Sequence, residues 1–167
     1  ADSIHPFNHS SSPIYGNWQH VIEPLVEYDV ERKDFIGVLA ESWQFQGNKW
    51  VFKLRKGVKF HNGATFTSKD VVFSIDKLRD EKGGSLQAPN FKDVSEVQTP
   101  DDYTVVFVTK QPNAVFLDRL DNRFMLSKEA GDKFGDKLYD NLVGTGPYKF
   151  VSYQRGGNLV FTRNDDY

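Results

Sequence analysis

Trp43-Gln44-Phe45-Gln46-Gly47-Asn48-Lys49-Trp50-Val51-Phe52-Lys53-Leu54-Arg55 is the stretch that decides the fold class. Apolar and polar residues alternate on both sides of Gly47-Asn48. A two-residue turn between two alternating runs specifies a β-hairpin. Side chains on a strand repeat every two residues, so Trp43 and Phe45 share one face with Trp50, Phe52 and Leu54. Val58 and Phe60 continue the alternation beyond Lys56-Gly57.

Working outward from this hairpin, the pattern changes period. Thr67 and Asp70 have the spacing of a capping box, and Val71, Val72, Ile75 and Leu78 then recur as one helical stripe. A loop marked by Gly83-Gly84 and Pro89-Asn90 follows. A second hairpin is expected around Pro100-Asp101-Asp102. Its return strand, 104–109, is apolar on both faces at Val105, Val106, Phe107 and Val108, which places it in the middle of a sheet. Asn113 caps a short helix over 114–120, and 128–134 forms another. The last hairpin pairs 148–153 with 159–163 around Arg155-Gly156-Gly157-Asn158. On the other side, 1–13 is polar and turn-rich, 14–22 forms a short helix before Pro24, and 25–28 reads as a strand. Hairpins with a few short helices define an α+β fold with a mostly antiparallel sheet.

Composition narrows the function classes. A length of 167 residues suits one domain. Basic and acidic residues nearly balance, 21 against 23, and no basic stripe is present, which argues against nucleic acid as a partner. No apolar run approaches the length of a membrane-spanning helix. With zero cysteines, disulfides, thiolate metal sites and cysteine nucleophiles are excluded. Fourteen Phe, seven Tyr and three Trp against one Met shift the expectation toward strands with aromatic cores rather than exposed aromatic platforms.

Catalytic constellations are not found. Gly83-Gly84-Ser85-Leu86-Gln87 lacks the closing glycine of a nucleophile elbow, and no phosphate-binding glycine loop exists. His5 and His9 are separated by Pro6, and no zinc-binding helical pair occurs among His5, His9, His20 and His61, so neither a metal nor another cofactor is expected. Two segments make definite backbone demands. Phe60-His61-Asn62-Gly63 reads as a tight turn with Gly63 at positive φ. In Gly144-Thr145-Gly146-Pro147-Tyr148 the glycines permit unusual dihedrals or a close backbone approach. Both a rigid start to the following strand and a backbone edge beside a ligand cleft satisfy that pattern.

Six motifs in order carry a resemblance. They are Glu23-Pro24-Leu25-Val26-Glu27-Tyr28-Asp29, Leu39-Ala40-Glu41-Ser42-Trp43, the run from Phe52 to Gly63, the run from Phe66 to Ser74, Gly144-Thr145-Gly146-Pro147-Tyr148, and Arg163-Asn164-Asp165-Asp166-Tyr167. Together they resemble the peptide/nickel-type solute-binding proteins of ABC importers, the dipeptide and oligopeptide group. Asn62 departs from the common F-H-D-G pattern, with little consequence expected because Asn serves the same turn.

The resemblance implies an extracytoplasmic, non-enzymatic receptor. It is periplasmic or extracellular, on the membrane-anchored face of a bacterial cell. It holds a peptide or similar small solute between two lobes and delivers it to ABC permease subunits. It touches the membrane only through an anchor outside this chain. Residues 1–167 then form a single partial domain, the N-terminal part of lobe I of a periplasmic-binding-protein-like fold, with the second lobe absent. The chain's ends, Ala1-Asp2-Ser3-Ile4 without a basic or apolar leader and Tyr167 four residues after a strand, read as those of a mature or trimmed segment. In the family, the loop before the E-P-L-V block and the segment before the G-T-G-P-Y block contribute to the cleft wall. Here these are residues 10–18 and 122–126, so Tyr15, Trp18, Ser11, Ser12 and Arg123 are the ligand-binding candidates, Arg123 as the anion partner. Residues 86–91 are a further candidate stretch. Two other classes remain open at this point. One is a regulatory protein reusing the domain as a ligand sensor. The other is a glycoside hydrolase with two facing carboxylates.

Overall fold

In the computed structural model, residues 16, 18–154 and 158–167 are described. Among the described residues, eight strands form three antiparallel groups. The first pairs β1 (Val26–Asp29) with β2 (Asp34–Gly37). The largest has four strands in the order β3 (Ala40–Gln46), β4 (Lys49–Leu54), β6 (Thr104–Thr109), β5 (Val94–Asp101). The third pairs β7 (Tyr148–Tyr153) with β8 (Leu159–Arg163). Among the described residues, besides the helical positions 16 and 18, the helices are α1 (Ser68–Arg79), α2 (Phe116–Leu120) and α3 (Lys128–Phe134), with 3-10 turns at Ala88–Phe91 and Gly135–Asn141.

The alternating stretch forms the β3–β4 hairpin, turning at Gly47 with φ +63°. Its aromatic face becomes a continuous stack. Phe45 lies 4.7 Å from Trp50, and Trp50 lies 6.4 Å from Phe52. Phe52 meets Phe107 of β6 at 5.5 Å, and Phe107 meets Phe116 of α2 at 5.1 Å. Centroid spacings in this range are those of favourable ring pairs, so much of the aromatic excess packs in the core, while Phe45, Tyr28, Tyr148 and Tyr167 stay exposed. β6 lies between β4 and β5, as its apolar character on both faces requires.

α1 packs on β5 and β6 with Val71, Ile75 and Leu78 fully buried. Its capping box forms: the Asp70 carboxylate accepts the Thr67 backbone N–H at 2.9 Å. The same carboxylate accepts the Lys128 N–H at 2.9 Å, tying the start of α3 to the start of α1. Burial raises the Asp70 carboxyl above its ordinary value, against the bonds from Lys128 and Thr67. α3 keeps its expected bounds, with Ser127 as the cap accepting from Ala130 N–H at 3.1 Å. The hairpin β7–β8 also keeps its bounds, its turn at 155–157 falling outside the described residues.

Three local readings differ. The helix over 114–120 begins two residues late, at Phe116, because Asn113 accepts the Val115 N–H and donates to Asp93 instead of capping the first turn. Strand 25–28 is displaced by one residue and gains a partner, β2, whose four residues Asp34-Phe35-Ile36-Gly37 are too few to announce a strand by alternation. The helix expected over 14–22 falls partly outside the described residues; Trp18 is helical and 19–21 form a turn.

Candidate functional site

The two glycine-marked segments, far apart in sequence, lock together. The Phe60–Gly63 turn has Gly63 at φ +88° donating its N–H to the Phe60 carbonyl at 2.8 Å. From that turn His61 makes three bonds to residues 144–146. Its backbone N–H donates to the Gly144 carbonyl at 2.8 Å. Its Nδ1 accepts the Gly144 N–H at 3.3 Å, and its Nε2 lies 2.9 Å from the Gly146 carbonyl. Asn164 Nδ2 donates to the same Gly146 carbonyl at 3.1 Å.

On the opposite side the glycines admit another backbone. A Cβ on Gly144 would sit 1.8 Å from the Val21 carbonyl oxygen, and one on Gly146 would sit 2.6 Å from that of His20. In return, the Gly146 N–H donates to Val21 at 3.0 Å and the Tyr148 N–H to His20 at 2.9 Å. Close approach is therefore what these glycines are for.

Beside this junction lies a cleft of about 1100 Å³. Its walls come from the Glu23-Pro24 block, the Gly37–Leu39 link, the loop after β4, and the segment Thr145 to Lys149 with the Asn164 and Tyr167 end. Glu23 is the buried charge. Its Oε2 accepts from Thr145 Oγ1 at 2.7 Å and its Oε1 from Tyr167 Oη at 3.0 Å. Burial pushes this carboxyl up, opposed by the Thr145 and Tyr167 hydroxyls and by the charge of Arg55. Arg55 itself is held in place, its Nε donating to the Val38 carbonyl at 2.6 Å. Lys149 pairs with the exposed Asp166 at 3.5 Å. The wall thus offers fixed charges of both signs next to hydroxyls, a surface suited to polar and zwitterionic groups. Among the described residues, no group of three or more His, Asp or Glu is placed to hold a metal ion.

The expected ligand segments meet here in part. The Gln19 Nε2 donates to Asn122 Oδ1 at 3.2 Å, and Pro24 pairs with Phe124, so the stretch that follows 10–18 runs alongside 122–126. Asn122 and Phe124 reach the cleft. Met125 and Leu126 face the core. Asn122 holds φ +54°, a left-handed conformation that Asn tolerates better than most residues. Arg123 is half-buried beside Asn122. Trp18 turns inward: it is 1% exposed, with ring centroids 5.9 Å from Phe150 and 6.2 Å from Phe161, and so supports the β7–β8 hairpin from behind. Its size and apolar ring favour that burial over a cleft position. Tyr15, Ser11 and Ser12 lie outside the described residues. Residues 86–91 stand away from this cleft, with Phe91 packed on Phe116.

Sequence reasoning singled out His61 and the glycines as backbone features and missed Glu23 as a buried charge. A carboxylate directly before a proline in a partly apolar block was the available signal.

This arrangement of strands and helices is shared with solved periplasmic binding proteins. NikZ of Campylobacter jejuni, solved with Ni(L-His), superposes with a TM-score of 0.85 at 29% identity, covering 99% of this chain and 34% of that one. The PBP AgaA of A. tumefaciens R10, solved with agropinic acid, gives 0.90 at 27% identity over 99% of this chain and 34% of that one. The dipeptide-binding protein of Escherichia coli is 34% identical, over 96% of this chain and 34% of its own length. The family model of the bacterial extracellular solute-binding proteins, family 5 (Middle), matches residues 34–167, and the chain belongs to that family. It spans about a third of the length of the curated relatives it matches.

Proposed function

We propose that this chain is the N-terminal part of the first lobe of an ABC importer's solute-binding component. That component takes up peptides or related small solutes between two lobes and hands them to permease subunits on the outer side of a bacterial membrane. The observation that carries this is the polar cleft wall standing on a fold shared, over almost the whole chain, with solute-binding proteins solved in complex with small polar ligands. The named relatives are binding proteins, which favours capture and delivery over catalysis. The E. coli relative's name favours peptides among the possible cargoes. Transport is favoured over ligand sensing for the same reason. Tyr15, Ser11, Ser12 and Arg123 are the contacts proposed from this lobe, and Trp18 is assigned the supporting role that its burial dictates.

Closure of two lobes, with aromatic and polar groups orienting the solute, is the mechanism this reading requires. One lobe alone supplies one wall. Calorimetry against a peptide library therefore finds binding by the full-length protein and none, or only weak binding, by the 167-residue chain. Micromolar binding by the chain alone would contradict the assignment.

A further inference from the structure

The bonds of His61 admit a single protonation state. Nδ1 faces a backbone donor, the Gly144 N–H, so it must carry a lone pair. Nε2 faces a backbone acceptor, the Gly146 carbonyl, so it must carry the proton. Only the neutral Nε2–H tautomer satisfies both. Adding a proton to Nδ1 sets two N–H groups against each other and removes one of the three bonds that join the Phe60–Gly63 turn to residues 144–146. Thr145, Pro147 and Lys149, which follow directly, line the cleft.

We propose that His61 is a proton-operated clasp: neutral, it holds residues 144–146 against the turn by three bonds; protonated, it gives up the one from the Gly144 N–H and loosens that side of the cleft. The proton comes from solvent and goes to Nδ1, and no other bond changes. The charged groups around the clasp come from several elements. Lys149 stands on β7 and bears directly on the imidazole. Glu129 of α3 is tied to the turn through Asn62 at 3.1 Å. Glu23 reaches the same loop through Thr145. Lys59 and Asp166 line the adjoining cleft. Burial lowers the imidazole's pKa, the Gly146 carbonyl opposes this, and the Lys149 charge adds to it. Because the clasped value lies below the ordinary one, the clasp is intact above the ordinary histidine range. It is lost as pH falls from there through the lowered value. In a whole receptor the cleft wall would loosen in acid, a consequence that rests on the transport reading.

Long-range 15N NMR of the His61 ring in the intact chain tests the clasp, titrated from about pH 8 to about pH 5. The Nε2–H pattern is expected at the upper end, with the Gly144 and Gly146 amides shifting at the same midpoint as the ring. Their protection from exchange, corrected for intrinsic rates, falls by up to about tenfold per pH unit between the lowered and ordinary values. His61→Gln, which keeps a donor and an acceptor but does not titrate, abolishes the response. His20→Gln preserves it, although His20 packs on Tyr148 at 6.0 Å. An Nδ1–H tautomer, a ring that titrates while both amides stay still, or an unchanged response in His61→Gln overturns the proposal. Should His61→Gln not fold, the wild-type titration decides alone. The titration reads the clasp itself, so its failure leaves the transport reading standing, and absent peptide binding leaves the clasp standing.

Discussion

The aromatic layer between β4, β6 and α2 and the cleft wall around Gly144 are held together by opposite means. In the layer, Phe52, Phe107 and Phe116 are fully buried, and their contacts need bulk and approximate geometry. At the wall, His61, Glu23, Thr145, Asn164 and two glycines make directional bonds between backbones that almost touch. Apolar burial is large and tolerant of small shifts, whereas each directional bond contributes little net and fails abruptly when its geometry or charge state changes. The layer therefore supplies stability, and the wall supplies shape.

The largest effect should come from the layer. Phe107→Ala removes a ring packed on both Phe52 and Phe116 and is expected to cost about 3–5 kcal/mol in urea unfolding. A loss below that of any wall variant would break the comparison. Gly144→Ala comes next. Its methyl would meet the Val21 carbonyl, a backbone atom that cannot rotate away, so roughly 1–3 kcal/mol of destabilisation is expected. The displacement should show in the Val21 and Gly146 amide signals. Unchanged stability would mean that the wall yields as readily as the layer.

The smallest effect is a slope. Glu23's carboxyl is raised in the folded chain, so the folded state holds that proton more readily than the unfolded one. Its contribution is most favourable below the ordinary carboxylate value and is lost as pH rises through the raised value. Glu23→Gln removes this loss, so the stability of the variant relative to wild type should climb with pH across that window. Paired urea titrations at several pH values measure it. A flat difference would show that the hydroxyls of Thr145 and Tyr167 compensate the buried charge completely.

Much of the layer was legible from local pattern. The β3–β4 hairpin, the capped helix α1, the central place of β6 and the bounds of α3 and β7–β8 each follow from relations within a few residues, where backbone geometry fixes which side chains share a face. β2 escaped because four residues with little apolar alternation carry no such signal. The candidate site was legible only as demand. Gly144 and Gly146 left open unusual dihedrals or a close approach, and said nothing of the backbone of residues 20–22 on one side and His61 on the other. Trp18 was legible as a large aromatic, and only packing decided that it faces inward.

Sequence alone determined the class of fold, the turn at Gly63 and a set of ordered motifs specific enough to point to a family. The tertiary structure decided which of those motifs touch. His61 and Gly144 lie 83 residues apart, and Glu23 and Tyr167 lie 144 apart. Short-range patterns arise from the fixed repeats of helix and strand. Contacts across such distances arise only when the whole core has condensed and brought the segments together, so no local stretch of the chain encodes them.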